Sequence, residues 1–378
     1  MMVRGQGCFL YDETGKEYLD GAAGIATNAL GHNHPAMIEA LQDQAQRLWH
    51  CSNMYRNPAL EAFADALIAI SHPARKVFFC SSGSEAVETA IKTIRRYHHV
   101  RADTERTEIL VVDGGFHGRT TGALAACSNP ASKEGYAPLM QGFRTIPFHD
   151  LEALERAIGA HTAAILLEPI QGEGGVRVHD ASYLQQLRHL CSTHGALLCL
   201  DEVQCGYGRT GSMYAFQQSN ITPDLWTVAK GIGGGFPLAA MLATEEVASC
   251  MTQGTHGGTY GGNPLACAVG LSVLNIVQSE GFLAQVQRVG DYFYHHLQQL
   301  HQRHPHIIAE VRGRGLMLGL SLHPAIDKYA FTDALRHKGL LLAPAVSHVV
   351  RIVPPLIFET QHVDQACRIL EDVCRQWI

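Results

Sequence analysis

The sequence predicts an α/β protein: a large unit over residues 46–262 built on a mainly parallel sheet, and a smaller α+β unit made from both chain ends, 1–45 and 263–378. Three observations carry this. Short apolar runs alternate with amphipathic stretches through the middle of the chain, as βα units do. The runs are apolar on both parities, as strands covered on both faces must be. After Asn263 the pattern changes to long helical segments.

GCFLYDETGKEYLDG opens the chain and alternates apolar with polar residues around an Asp-Glu-Thr-Gly turn, predicting an antiparallel hairpin. Pro35 starts a helix to about Trp49, with Met37, Ile38, Leu41, Ala45 and Leu48 on one face. KVFFC (76–80), EILVVD (108–113), TAAILLE (162–168), ALLCLD (196–201), DLWTVA (224–229) and PLAAMLA (237–243) read as buried strands. Helical stretches such as SEAVETAIKTIRRYHH and ASYLQQLRHLCSTHG lie between them. Beyond Asn263 come helices, then LMLGLSL, a short VVRIV strand and a last helix from about His362.

At 378 residues the chain can bury roughly 75% of its unfolded surface, so a large core is available. Net charge is −6 with no basic run, which argues against nucleic acid and for small-molecule partners. No window approaches the ~18 consecutive apolar residues of a membrane span, and the start has no apolar leader, so a cytoplasmic chain is expected. Eleven cysteines lie scattered in apolar segments without a Cys-x-x-Cys pair, as buried, reduced thiols would. The histidines of GHNHP lack a third ligand at helical spacing, and no metal is expected.

Four features fall just beyond strand ends, where such sheets place ligands. SSGSEAVETAIK (81–92) offers Ser82, Gly83 and Ser84 at a helix start, whose free N–H groups, hydroxyls and dipole suit a phosphate. Ordinary capping by Ser82 or Ser84 is the plainer alternative. GGFHGRT (114–120) sets Phe116 and His117 to stack on a flat heterocycle and Arg119 to hold a carboxylate, although such a pair also serves as loop packing.

Asp201 ends a buried strand, where a carboxylate needs a cation or donors. A protonated pyridine nitrogen would serve, with Gln204 donating to a neighbouring phenolic oxygen; an ion pair with Arg209 is the structural alternative. In TVAKGIGGGFP, Lys230 ends an apolar run, so desolvation should lower its pKa and free its lone pair for attack on a carbonyl. The glycines behind it allow close approach to a cofactor or, equally, a mobile loop. A phosphate cradle, an aromatic cover, an acid for a pyridine nitrogen and a carbonyl-capturing lysine together describe one ligand, pyridoxal 5′-phosphate.

The motifs LYDETGKEYLD, SSGSEA, FHGRT, LLEPIQGEGGV, LDEVQCGYGRTG, AKGIGGGFP, HGGTYGGNPLACAV and VRIVPPL, in this order and nearly end to end, resemble the class III pyridoxal-phosphate aminotransferases. The resemblance implies fold type I with a seven-stranded sheet. It implies that Lys230 links covalently to the cofactor and moves the substrate proton, that Asp201 pairs with the pyridine nitrogen and Gln204 with the phenolic oxygen, and that Phe116 or His117 covers the ring. Ser82, Gly83 and Ser84 would bind the phosphate, joined by Thr259 from a second subunit, which makes a homodimer a requirement. Arg351 would take the substrate α-carboxylate, Arg119 the second carboxylate or acyl end, and Glu173 would pair with Arg351.

Phe9 stands where related ornithine enzymes carry a tyrosine for the free α-amino group, favouring an Nα-acylated donor; Val87 replaces an amide. The implied reaction moves the δ-amino group of N2-acetylornithine to 2-oxoglutarate, in arginine biosynthesis. Succinylornithine, N-succinyl-diaminopimelate, ornithine and GABA are the alternative donors. A non-catalytic ligand-binding module is the remote alternative, against which the intact Lys230 stands.

Overall fold

A computed structural model describes residues 1–377. A seven-stranded sheet runs through its centre in the order Lys76–Cys80, Ala239–Ala243, Leu225–Val228, Leu197–Asp201, Thr162–Leu167, Glu108–Val112, Phe143–Ile146. The four strands from Leu225–Val228 to Glu108–Val112 are mutually parallel, and Phe143–Ile146 extends them in the same sense. Ala239–Ala243 runs antiparallel to both of its neighbours. All six expected strands form; Phe143–Ile146 is the seventh, missed because only Ile146 in it is buried.

Thr162–Leu167 and Leu197–Asp201 are buried at every position, which explains their unbroken apolar sequence. Helices cover both faces of the sheet. Gly83–Val100 turns Val87, Ala90, Ile91 and Ile94 inward against Val111, Ala164 and Leu166. On the other face Leu110, Ile165, Leu198 and Trp226 pack with Tyr183, Leu187 and Phe63.

The hairpin Phe9–Asp12/Glu17–Asp20 forms as expected, extended by the mostly exposed strand Met2–Gln6. A second four-stranded sheet, Ile308–Arg314, Met317–Leu322, Val349–Ile352 and Ala343–Pro344, packs with Phe282–Arg303 and Thr360–Gln376 around a separate core. The helix begun by Pro35 stops at Ala45, short of Trp49, which is 65% exposed. The boundary expected after residue 262 falls at the start of Pro264–Val277, which packs on the helices Pro35–Ala45 and Pro58–Ile70. We propose that this helix joins the two units.

The eleven cysteines form no disulfide, and nine are buried. His32 of GHNHP is used structurally, its Nε2 lying 2.8 Å from Asp20 Oδ2. Among the described residues no single helix is long and apolar enough to cross a membrane.

Candidate active site

A pocket of about 340 Å³ opens at the carboxyl ends of the central strands, lined by Ser82, Gly83, Ser84, Phe116, His117, Asp201, Val203, Gln204 and Lys230. Residues from four separate sequence segments therefore meet in one cavity, as their positions after strands require.

Strand Leu225–Val228 delivers Lys230 two residues beyond its end. Lys230 starts a single 3₁₀ turn with φ of 50°, a left-handed conformation that a side chain seldom adopts. Burial lowers its pKa, and the nearby Arg351 charge lowers it further. The following glycines answer to packing behind the turn. At Gly234, φ is 57° and a Cβ would lie 2.9 Å from Met37 Cε and from Val273 Cγ2. A Cβ at Gly235, with φ of 120°, would lie 2.8 Å from Asn28 Oδ1.

Asp201 is 2% exposed and held by three donors. His117 Nδ1 donates to its Oδ2 at 2.8 Å, while Val203 N and Thr227 Oγ1 donate to Oδ1 at 3.0 and 3.2 Å. Four lone-pair sites leave room for one further donor from the pocket. Burial opposes charge on His117, but the Asp201 carboxylate outweighs it and raises the ring's pKa. His117 is thus tied down as the partner of Asp201, a contact that Phe116 does not share. The alternative partner Arg209 lies elsewhere: its guanidinium donates to the carbonyls of Leu316 and Pro354.

Glu168 was not singled out in the sequence, although it also follows an apolar strand and the logic applied to Asp201 covers it. Its Oε1 accepts from Phe116 N at 2.9 Å and its Oε2 from Gly172 N at 3.0 Å, fixing the loop that carries Phe116. Burial, aided by the Asp201 charge, raises its pKa to about 7.

At the start of Gly83–Val100, Ser82 caps the helix through Glu85 N, and Glu85 Oε2 returns to Ser81 N and Ser82 N. The capping alternative is therefore realised, and it leaves the N–H groups of Gly83 and Ser84 facing the cavity end of the helix dipole. Gly83 permits a close approach there, since a Cβ would lie 3.0 Å from Val203 Cγ1. Ser84 Oγ accepts from Arg119 N at 3.0 Å, so its hydroxyl hydrogen is free for a second partner.

Arg351 is 1% exposed and its Nη1 donates to Glu173 Oε1 at 2.7 Å and to Gln204 Oε1 at 2.9 Å. Holding Gln204 by its oxygen turns the Nε2 donor outward, and Gly172 makes space, because a Cβ there would strike Gln204 at 2.2 Å. Phe116 also borders a larger outer cavity of about 890 Å³, shared with Arg119, Glu173, Arg177, Arg312 and Lys328. The Arg119 guanidinium carbon sits 5.0 Å from the Phe116 ring centroid. Thr259 is exposed, outside both cavities. Phe9 also stays out of both, packing 5.7 Å from the His362 ring in the smaller core.

The family model described as "Aminotransferase class-III" matches residues 1–374. The chain belongs to the class III aminotransferases. It is 49% identical to an acetylornithine aminotransferase of Agrobacterium fabrum over 354 residues, covering 94% of this chain and 88% of that one. The structure of N-acetylornithine aminotransferase from Stenotrophomonas maltophilia K279a superposes with a TM-score of 0.88 at 38% identity, covering 100% and 96% of the two chains. An amine transaminase from an uncultivated Pseudomonas species, solved in its PLP-bound form, gives 0.94 at 30% identity with 100% and 94% coverage. As a class III aminotransferase, the chain has the fold type I architecture that its seven-stranded sheet displays.

Proposed function

We propose that this chain transfers the δ-amino group of N2-acetylornithine to 2-oxoglutarate, yielding N-acetylglutamate semialdehyde and glutamate for arginine biosynthesis in the cytoplasm. The carrying observation is a half-buried lysine of lowered pKa sharing one pocket with Asp201, Gln204 and the start of a helix. The acetylated donor is supported by the names of relatives at 43–49% identity.

The donor set fits pyridoxal 5′-phosphate. The N–H groups of Gly83 and Ser84 with the Ser84 hydroxyl would take the phosphate, Asp201 the protonated ring nitrogen, Gln204 Nε2 the phenolic oxygen, and Phe116 the ring face. When bound, the cofactor supplies an electron sink for the pair released as the C–H bond beside the amine breaks. Lys230 Nζ, deprotonated more readily than a solvated lysine, takes that proton and returns it. Phe116 and the cavity walls exclude water from the exchange.

Glu173 neutralises Arg351 while the donor's δ-amino end occupies the inner pocket. The donor's carboxylate then falls to Arg119 in the outer cavity. When 2-oxoglutarate or glutamate enters, its α-carboxylate competes with Glu173 for Arg351. One pocket thereby serves two substrates of different charge at the reacting end. Thr259 would complete the phosphate site of a second subunit, so the functional unit is proposed to be a homodimer.

Initial-rate assays of purified protein with 2-oxoglutarate and either N2-acetylornithine, succinylornithine, N-succinyl-diaminopimelate, ornithine or GABA test the reading. The highest kcat/KM should fall to N2-acetylornithine; a strong preference for ornithine or GABA would overturn it. Lys230→Ala should abolish turnover and the visible absorption of the bound cofactor.

A further inference from the structure

Far from the catalytic pocket, a second cavity of about 440 Å³ is walled by Lys92, Arg95, Arg96, His99, Thr104, Arg106, Thr107, Met251 and Thr255. Lys92, Arg95, Arg96 and His99 stand at i, i+3, i+4 and i+7 of the helix Gly83–Val100, so one stripe of the helix carries all four. Among the described residues no carboxylate lines the cavity. Arg106 alone has an acidic partner, Asp103, at 2.7 Å.

The other cations are met by neutral acceptors. Arg95 donates to Gln141 O at 2.7 Å, and its buried Nε has no partner. Arg96 Nε donates to Cys250 O at 2.7 Å, and Lys92 Nζ lies 2.8 Å from His256 Nδ1. Like charges at these spacings repel, and the helix C-terminus offsets the repulsion only for residues of the last turn. In a chain of net charge −6, this concentration of unneutralised cations around a concave site is the signature of an anion's counter-charge.

We propose that this cavity binds a compact, multiply charged phosphate compound. Guanidinium forks match phosphate oxygens two at a time, the lysine adds a point charge, and the hydroxyls of Thr104 and Thr107 supply further donors, Thr255 Oγ1 being committed to Thr252 O at 2.7 Å. Among the described residues no Phe, Tyr or Trp lines the wall and the exposed His99 imidazole is its one aromatic ring, so the cavity favours a ligand that is small and anionic throughout. The site is independent of the catalytic reading. Its position would tie the helix that begins at the phosphate cradle to the segment that leads to Thr259.

The test is isothermal titration of cofactor-saturated protein with pyrophosphate, with sodium chloride holding ionic strength constant. Saturable binding is expected, weakened at least about tenfold by Lys92→Met and by Arg96→Gln and unchanged in Arg119→Gln. Lys92 is exposed with a single side-chain contact, so Lys92→Met reports even where Arg96→Gln misfolds. Absence of saturable heat, or affinity retained in Lys92→Met, overturns the proposal. Loss of binding in Arg119→Gln instead would assign pyrophosphate to the substrate cavity and overturn it equally.

Discussion

Glu202 follows Asp201 in sequence yet turns away from the pocket, and its environment makes a pH-dependent stability term. Its carboxylate accepts from Ala215 N and Phe216 N, both at 2.9 Å, and burial raises its pKa to about 7. A carboxyl raised above its unfolded value binds its proton more tightly when folded. Its contribution is complete below the unfolded pKa of about 4.5 and is lost as pH rises through 7. Glu202→Gln removes this titration and keeps only one carbonyl acceptor for two N–H donors. The variant should be destabilised by ~1–3 kcal/mol at low pH. Between pH 4.5 and 7.5 the parent should lose roughly 3 kcal/mol that the variant does not, so the gap should close or reverse in urea unfolding. A gap that stays constant across that range sinks the assignment. His117 presents the companion case at the ligand's side. His117→Ala removes the donor that orients Asp201, and cofactor retention, followed by fluorescence titration, should weaken about tenfold. Retention equal to the parent's would mean that Val203 N and Thr227 suffice.

At the scale of elements, the helix Gly83–Val100 serves two purposes at one end, and a substitution separates them. Ser82→Ala breaks the capping box, so the cofactor-free protein should lose about 1 kcal/mol of stability. If the Ser82 hydroxyl also touches the phosphate, cofactor affinity falls with it; if capping is its whole role, affinity follows the main-chain N–H groups and stays. Comparing melting of the cofactor-free form with a cofactor titration tells which. The same element shows how far the residues could be read in advance. Its helical period and serine start are local signals, and so are the six runs of apolar strand. Phe143–Ile146 escaped because an edge strand with exposed Arg144 and Thr145 has no apolar run. The His117–Asp201 pair and the hold of Arg351 on Gln204 join residues 84 and 147 positions apart, and no local pattern reports such contacts. Lys230 and Asp201 were legible because burying a charge at a strand end demands a reason.

For the molecule as a whole, four large apolar side chains lie exposed in the segment after the helix Pro35–Ala45 and beside Thr259. Trp49, Met54, Tyr55 and Tyr260 are each at least 65% exposed, and the His50 ring lies 5.4 Å from Tyr260. We propose that these side chains form a subunit contact. Sedimentation should give a dimer, and Trp49→Glu with Tyr55→Glu should yield monomers that hold the cofactor about tenfold more weakly, having lost a donor to the phosphate. A parent protein that sediments as a monomer with full cofactor affinity would refute the arrangement. The reversed strand Ala239–Ala243 bears on the whole sheet in another way. It pairs antiparallel with Leu225–Val228, Val228 opposite Ala240, so the segment from Ala229 to Leu238 is pinned at both ends by sheet register. Most loops of such a protein tolerate an added residue as a surface bulge. Here Gly231, Ile232, Gly233 and Gly234, directly behind Lys230, are buried, so an insertion among them shifts Lys230 against its pocket, which makes the length of that stretch as constrained as the identity of its lysine.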